Sequence, residues 1–365
     1  MQTEQKGSVL GMWSDASALA DLNCMYKNLL EVPTQWQELT DLGLAKLLTN
    51  FLDGLRLAGL QPKRFLLQTG AKNYGFHMGP ATNPSFETDP RISLEANFYY
   101  PQEDALKKFC EETCTAWNVV RPSYIIGAVR DGALNFLIGL AIYGAVQSYL
   151  NKPLEFPGDY AAWDREFCQS TALLNAHFEE WAVLTDQAAN EAFNIQDGQS
   201  FTWGRFWPYL ASWFGTTWNP PNTDMSKYRV TTCRHVDTPR GYVCSRASNS
   251  APTNGLNSYG PRGVTRSTFS LLEWSENEEV QQAWRELSKR YGLVLDPFDE
   301  AKRPQIFGMT DSAVLGDWPL SLSMRKARKM GFFGTADSFE TSFEAIQNLA
   351  RLKLVVPTIM KKYIE

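Results

Sequence analysis

A lysine and a tyrosine stand out in this chain because their types and surroundings could do chemistry together. Lys72 closes a run that reads Leu-Leu-Gln-Thr-Gly-Ala-Lys from Leu66, and Tyr99 lies in the run Asn97-Phe-Tyr-Tyr-Pro-Gln-Glu-Asp104. A phenol with a pKa of about 10 is a poor proton donor or oxyanion partner at neutral pH unless an ammonium stabilises its charged form. Lys72 could supply that ammonium, and Tyr99 could then stabilise charge on a substrate oxygen.

Each of these residues also has an ordinary structural interpretation. A lysine after a strand is usually solvated, and a tyrosine before a helix usually packs against its neighbours. The two runs together favour the chemical interpretation more than either residue does alone.

Several further motifs follow in an order that resembles one family. They are Arg121-Pro122 with Ile125 and Gly127, Phe156-Pro157-Gly158, Ala162-Trp163-Asp164, Asn190 to Asn194, Trp203 to Trp207, and Gly331-Phe332-Phe333-Gly334. With the two runs above they resemble the progesterone 5β-reductase and iridoid synthase-like (PRISE-like) group of extended short-chain dehydrogenases, and most closely its fungal members, which often act in secondary metabolism. The resemblance covers most of residues 36–365. It implies an α/β fold with a Rossmann-like parallel sheet, incomplete at its N-terminal end, and a mostly helical C-terminal substrate region.

The resemblance also assigns roles to residues. The first tyrosine of the family's Tyr-Tyr pair is catalytic, which corresponds to Tyr99, and the family's lysine corresponds to Lys72. The cofactor is NADPH, which delivers hydride to a carbonyl or to the β-carbon of an enone, and the lysine also holds its ribose. By position, Thr69, Pro122, Ile125, Gly132 and Leu134 would contact the cofactor, and Phe343 would form part of the substrate wall.

Two departures from ordinary short-chain dehydrogenases bear on the reaction. Position 103 is Glu103, so no lysine lies one helical turn after Tyr99, and Thr69 and Gly70 precede Lys72 without a counterpart of the usual catalytic serine. Both departures belong to the group resembled, and they favour reduction of an activated C=C bond. Plain carbonyl reduction or alcohol oxidation by the same pair is the alternative reaction.

Composition and charge favour a globular protein that binds small molecules. The chain has 365 residues, 44% of them hydrophobic and 21% charged, which suits one large or two ordinary domains with a full core. A net charge of −5 argues against a nucleic-acid groove. We therefore expect a small-molecule substrate and no nucleic acid. The family resemblance implies that this substrate is a polyketide- or terpenoid-like enone, and it also admits a homodimer.

Cysteine usage and the polar opening indicate a cytoplasmic protein with reduced thiols. The six cysteines form no Cys-x-x-Cys spacing, so no metal site is expected. Cys110 and Cys114 lie one helical turn apart, which could suit a metal but is more typical of helix packing. No secretory segment opens the chain, and the apolar stretch 132–150 is interrupted by Asn135 and Gln147, so we expect a buried helix there rather than a membrane span.

The apolar pattern predicts βαβ units around the motifs. In order, it predicts a helix within 36–58, a buried strand at Phe65–Gln68, a substrate-covering loop at 73–96, a helix from Tyr99 to about Thr115, and strands at Trp117–Pro122 and Tyr124–Gly127. Ligands bind beyond the carboxyl ends of strands in open parallel sheets, where Lys72 and Pro122 would lie.

Two stretches do not fit the family pattern. Gly7 and Gly11 are the only glycines before Gly43, so no Gly-x-x-Gly-x-x-Gly turn for the cofactor pyrophosphate precedes the motifs. We expect that the missing turn reflects a truncation or an incorrect gene start, and that the chain as given binds NADPH weakly or not at all. The alternative to a reductase is a catalytically inactive remnant or a binding module. The polar stretch 241–260 predicts an inserted loop.

The expected organisation is an irregular segment 1–35, a catalytic part 36–220, a polar insertion 221–268 and a substrate-binding region 269–365.

Overall fold

The computed structural model of the protein describes residues 41–130, 135–232 and 264–359, and of residues 41–45 the backbone only. The predictions for residues 1–35, for Gly132 and Leu134, and for the polar stretch 241–260 fall outside these ranges. The chain divides into two compact units. The first comprises Met1–Thr69, Glu95–Val119 and Ala182–Ala192, and the second comprises Gly70–Leu94, Val120–Trp181 and Phe193–Glu365. The four successive segments expected from the sequence stay a prediction.

The first unit has a core formed by two helices and the strands beside them. Its elements are α1 (Asp41–Leu57), β1 (Arg64–Gln68), α2 (Tyr99–Thr113) and the first part of β2 (Ala116–Pro122). The apolar stripe of α1 buries Leu48, Leu52 and Leu55 against Leu106, Phe109 and Cys110 of α2. The predicted helix within 36–58 is thus confirmed, and the chain leaves it at Gly59, whose φ of 63° is left-handed.

A three-stranded sheet has the order β1-β2-β6, with β6 at Glu191–Ile195. The predicted strands at Phe65–Gln68 and Trp117–Pro122 are confirmed. The prediction that the first of them is buried is wrong, because four of its residues are half-buried and Gln68 is exposed. Phe65 and Leu67 pack against the core of α1 and α2 but are only partly covered by it.

The second unit is built around a helix that is apolar on all sides. This helix, α3 (Phe136–Tyr149), is buried along nearly its whole length, as the sequence predicted. Asn135 caps it by accepting a hydrogen bond from the Leu137 N–H. A Cβ atom at Gly144 would collide with the ring of Phe214, so glycine allows close helix contact there. Within the described ranges, no helix combines the length and the apolar character that crossing a bilayer requires.

The remaining described elements include eight α-helices and three pairs of short strands. The helices are α4 (Tyr160–Asp164), α5 (Ala172–Leu184), α6 (Trp203–Phe214), α7 (Leu271–Trp274), α8 (Glu278–Tyr291), α9 (Arg303–Val314), α10 (Arg325–Lys329) and α11 (Ser338–Arg351). Parallel strand pairs join β3 (Tyr124–Ile126) to β5 (Gln169–Thr171) and β4 (Leu154–Glu155) to β7 (Trp218–Asn219). An antiparallel pair joins β8 (Arg229–Thr232) to β9 (Val264–Ser267).

Candidate functional site

Lys72 lies in a short turn that follows β1. The chain passes through buried Thr69 into a one-turn 3-10 helix, Ala71–Tyr74, and then into a second one, Phe76–Met78. Ala71, Asn73 and Tyr74 are buried, whereas Lys72 is half-buried. Gly75 separates the two turns with a left-handed φ of 74°, and a Cβ there would lie 3.0 Å from the Met78 Cε atom. Apart from these turns, the predicted loop at 73–96 is irregular, as expected.

A buried polar network fixes the end of this turn. The Tyr74 hydroxyl donates to Asn194 Oδ1 at 2.5 Å and accepts from Arg121 Nη1 at 3.3 Å. The same Arg121 nitrogen donates to the Glu87 carbonyl at 3.3 Å, and the Asn194 N–H donates to Glu87 Oε1 at 3.0 Å. Burial raises the pKa of Tyr74 above its usual range although Arg121 opposes the shift. Tyr74 is therefore a neutral hydrogen-bonding group that holds the backbone beside Lys72.

Tyr99 is the first residue of α2. Its N–H donates to Asn97 Oδ1 at 3.1 Å. Its ring packs edge to face against the Phe98 ring, with 4.6 Å between the ring centroids. Tyr99 is half-buried, and burial raises its pKa to about 12. The phenol is therefore protonated at neutral pH and able to donate a hydrogen bond. One turn later, Glu103 is buried at 1% exposure, and its carboxylate lies 3.8 Å from Lys107 Nζ.

Tyr99 belongs to the first compact unit and Lys72 to the second. Their pairing stays a prediction. The assignment of Thr69 to the cofactor also stays a prediction.

The strand ends hold two of the predicted cofactor residues. Pro122 is buried at the end of β2, and Ile125 is half-buried in β3, where it is in register with Ser170. The next turn is fixed by Ser123, whose N–H donates to Ser170 Oγ at 2.9 Å and whose hydroxyl donates to the Cys168 carbonyl at 2.7 Å.

Gly132 and Leu134 lie outside the described residues, but a hydrogen bond joins the residues on either side of them. Asn135 Nδ2 donates to the Gly127 carbonyl at 2.7 Å, while the Asn135 side chain also caps α3. The contacts of Gly132 and Leu134 themselves stay predictions.

Phe343 lies on α11 within the large core of the second unit. It is 8% exposed, and its ring centroid is 5.4 Å from that of Trp213. Core packing is a sufficient reason for an aromatic residue at this position. Its assignment to a substrate wall stays a prediction.

The sequence analysis did not identify Tyr74, Arg121, Asn194 and Glu87 as site residues. Two of them, Arg121 and Asn194, stand within the motifs that carry the family resemblance, which was the available signal. Their contacts join residues far apart in sequence, such as Tyr74 and Asn194 at a separation of 120. Spacing along the chain cannot reveal which polar side chains will be buried together.

Comparison with known proteins places these motifs in a family. The sequence profile of the PRISE-like Rossmann-fold domain matches residues 56–232. An uncharacterised protein of Schizosaccharomyces pombe is 30% identical over 326 residues, which cover 85% of this chain and 75% of that protein. The short chain dehydrogenase gsfE of Penicillium aethiopicum is 28% identical over 85% of this chain and 73% of its own length. The 3-oxo-Δ4,5-steroid 5β-reductase of Arabidopsis thaliana is 39% identical over 41% of this chain and 40% of its own length.

These matches define a Rossmann-fold α/β protein of the reductase and short-chain dehydrogenase-like class. The chain belongs to the PRISE-like family. The fold class predicted from the sequence is confirmed.

The described residues fit one end of a nicotinamide dinucleotide better than the other. Pro122 and Ile125 lie at the end of one strand and within the next, in positions where side chains can flank a nicotinamide ring. In residues 41–130, 135–232 and 264–359, no Gly-x-x-Gly-x-x-Gly turn is present to receive a pyrophosphate. The assignment of Pro122 and Ile125 to a nicotinamide ring therefore stays a prediction.

Proposed function

We propose that this protein is an NADPH-dependent reductase of α,β-unsaturated carbonyl compounds, polyketide- or terpenoid-like, that acts in the cytosol in fungal secondary metabolism. The observation that supports it most is the buried network of Tyr74, Arg121 and Asn194, because these residues fix the turn that presents Lys72. Relatives named a short chain dehydrogenase and a steroid 5β-reductase support the reaction class. NADPH rather than NADH rests on the family resemblance.

Tyr99 would act on the substrate oxygen. A protonated phenol can donate a hydrogen bond to a carbonyl and stabilise the enolate oxygen that forms when the β-carbon is reduced. Burial favours the neutral phenol, so transfer of its proton to the enolate would require the compensating charge of Lys72.

Lys72, Pro122 and Ile125 would hold the nicotinamide end. A reduced nicotinamide supplies hydride when it is bound. The half-buried Lys72 would donate from its ammonium to a ribose hydroxyl, while Pro122 and Ile125 would exclude water from the reacting face.

Reduction of an enone by a fusion protein tests this proposal. A nucleotide-binding unit that contains a Gly-x-x-Gly-x-x-Gly turn is joined ahead of this chain to provide a pyrophosphate site. A 3-oxo-Δ4 steroid and a small cyclic enone are then offered with NADPH. We expect saturated ketones, and Tyr99→Phe should lower turnover by roughly 10²-fold, the scale of losing one oxyanion donor. Tyr100→Phe is the matched control and should cost little. A damaging Tyr100→Phe with a mild Tyr99→Phe would show that the other tyrosine is catalytic.

The second candidate is a catalytically inactive remnant that serves as a binding module. The specific observation in its favour is the lack of a Gly-x-x-Gly-x-x-Gly turn anywhere in the printed sequence. Titration of the unfused chain with NADPH, followed by nicotinamide fluorescence, separates the two. No binding by the chain together with no turnover by the fusion would favour the remnant, whereas turnover by the fusion would exclude it.

A further inference from the structure

The segment 316–324, in the second unit, contacts the Lys72 turn at several points. Trp318 Nε1 donates to the carbonyl of Phe76 at 2.8 Å. Leu320 and Leu322 belong to one small buried cluster with Ala71 and Tyr74, the residues on either side of Lys72 and Asn73. This segment therefore touches both the backbone and the buried face of the turn.

The same segment also holds the chain that follows the turn. The Ser85 N–H donates to the Ser321 carbonyl at 2.9 Å, and the Ser323 N–H donates back to the Ser85 carbonyl at 2.9 Å. Asn194 of the buried network donates from Nδ2 to the Ser85 carbonyl at 3.0 Å. Segment 316–324 and the Tyr74 network thus hold the loop from two directions.

The segment is itself anchored at its start by a buried arginine. Arg165 is 9% exposed and lies over the Phe167 ring, with its Cζ 5.2 Å from the centroid. Its guanidinium donates to the carbonyls of Ala313 and Trp318. Two carbonyls on the same guanidinium fix the direction in which the chain leaves α9.

Further along, the segment is anchored by Glu166 and Gln196. The Leu320 N–H donates to the Glu166 carbonyl at 3.0 Å, and the Leu322 N–H donates to Gln196 Oε1 at 3.2 Å. A segment held at both its start and its middle can restrain a neighbour that has little structure of its own.

The Lys72 turn is such a neighbour. It consists of short 3-10 turns, whose hydrogen bonds include Asn73 N–H to the Gly70 carbonyl and Gly75 N–H to the Lys72 carbonyl, both at 3.0 Å. Short 3-10 turns have poor hydrogen-bond geometry and need outside contacts to persist.

We infer that segment 316–324 positions Lys72, and that Trp318 is a positioning residue acting through the Phe76 carbonyl. The inference rests on the proposed role of Lys72 and deepens it, because it identifies which part of the C-terminal region sets the location of the lysine. Trp318 would not touch substrate or cofactor in this role.

Hydrogen exchange of the full chain tests the inference without turnover or cofactor. Trp318→Phe keeps an aromatic ring and removes the N–H donor, so exchange in a peptide covering residues 70–80 should rise by about fivefold, the effect of losing one ordinary hydrogen bond. Trp284→Phe is the matched control, because it removes an indole donor from the Leu295 carbonyl elsewhere in the same unit. The control should leave residues 70–80 within about twofold of wild type.

A second readout follows Lys72 itself. The rate of amine acetylation at Lys72, relative to the exposed Lys289 in the same molecule, should rise by about threefold or more in Trp318→Phe and stay unchanged in Trp284→Phe. A purely structural role for Trp318 would not change this ratio selectively.

The inference stands if both readouts change in Trp318→Phe and neither changes in Trp284→Phe, and any other result overturns it. If Trp318→Phe lacks a cooperative unfolding transition, Leu322→Val takes its place under the same criteria, because it trims the contact with Ala71 and Tyr74 and leaves the indole in place. Failure of enone reduction would sink the proposed function and leave both readouts intact, so the two outcomes are distinguishable.

Discussion

At the scale of single residues, the side chains that shape the candidate site are neutral hydrogen-bonding groups as much as ionisable ones. Lys72 and Tyr99 were identified from the sequence because their types suggest chemistry. Tyr74 and Asn194 hold the turn through a hydrogen bond between two buried side chains, which are 5% and 0% exposed. Residue type could indicate the first pair, whereas the second needed the fold, because a tyrosine and an asparagine are ordinary until they are buried against each other.

Tyr74→Phe should destabilise the protein. It leaves Asn194 Oδ1 and the Arg121 guanidinium short of a buried partner, which costs on the order of 1–3 kcal/mol. Urea unfolding measures the change. Tyr160→Phe, at a residue that is 44% exposed, is the control and should stay within about 0.5 kcal/mol of wild type. Equal effects of the two changes would show that the network contributes nothing.

Asp317→Asn should change the dependence of stability on pH. Burial, and then the nearby Asp159, raise the pKa of Asp317 to about 7, against the lowering effects of Arg266 and Arg165. The unfolded chain has a carboxyl pKa of about 3.9, so this group contributes stability below about pH 4 that is lost as the pH rises through about 7. Asparagine imitates the protonated form at every pH.

The stability of Asp317→Asn relative to wild type should therefore increase between about pH 4 and pH 8, by on the order of 1–3 kcal/mol. Urea unfolding at a series of pH values measures the difference. A difference that is constant with pH would contradict the assignment of a raised pKa to Asp317.

At the scale of elements, the spacing of apolar residues correctly predicted the positions of two long helices. The helix expected within 36–58 is Asp41–Leu57, and the buried helix expected within 132–150 is Phe136–Tyr149. The short strands β4 and β7 have two residues each and pair across a long stretch of chain, so no periodic signal could reveal them. Burial of β1 was overestimated because an apolar run does not show how much of its strand the neighbouring helices cover.

Residues 233–263 should be replaceable by a two-residue Asn-Gly turn. The flanking strands are antiparallel, and Thr232 lies directly opposite Val264, which is the spacing that a two-residue hairpin turn closes. We expect a melting temperature within a few degrees of wild type. A replacement that also removes residues 229–232 and 264–267 is the control and should lower it clearly. A large drop in the first variant would mean that the replaced segment itself stabilises the protein.

Asn175→Leu should stabilise the protein. Asn175 is 3% exposed on α5, and both polar atoms of its amide are buried without a hydrogen-bond partner. Leucine of similar volume removes that desolvation cost, for a gain of about 1–2 kcal/mol in urea unfolding. Asn118→Leu is the matched control and should destabilise, because the Asn118 side chain bonds Arg64 and the Ala188 carbonyl. A comparable loss in both variants would contradict the account of Asn175.

At the scale of the whole molecule, the family motifs follow one another along the chain, whereas each compact unit combines segments that are far apart in sequence. The first unit gathers three separate stretches of sequence, and so does the second. Length and composition could indicate room for two units but not which stretches join each one. Lys72 and Tyr99 fall in different units, and their pairing stays a prediction.

A double-mutant cycle on Lys72 and Tyr99 tests the predicted pairing of the two residues most directly. The fusion protein reduces an enone with NADPH that carries deuterium at the transferred position, and mass spectrometry counts deuterium at the β-carbon of the product. If the two residues depend on each other for catalysis, the double variant Lys72→Ala/Tyr99→Phe should lower the rate by about as much as the more damaging single change. The second substitution then removes no further catalytic interaction. Rates in which the two single losses multiply, or single variants that both retain the wild-type rate, would contradict the account.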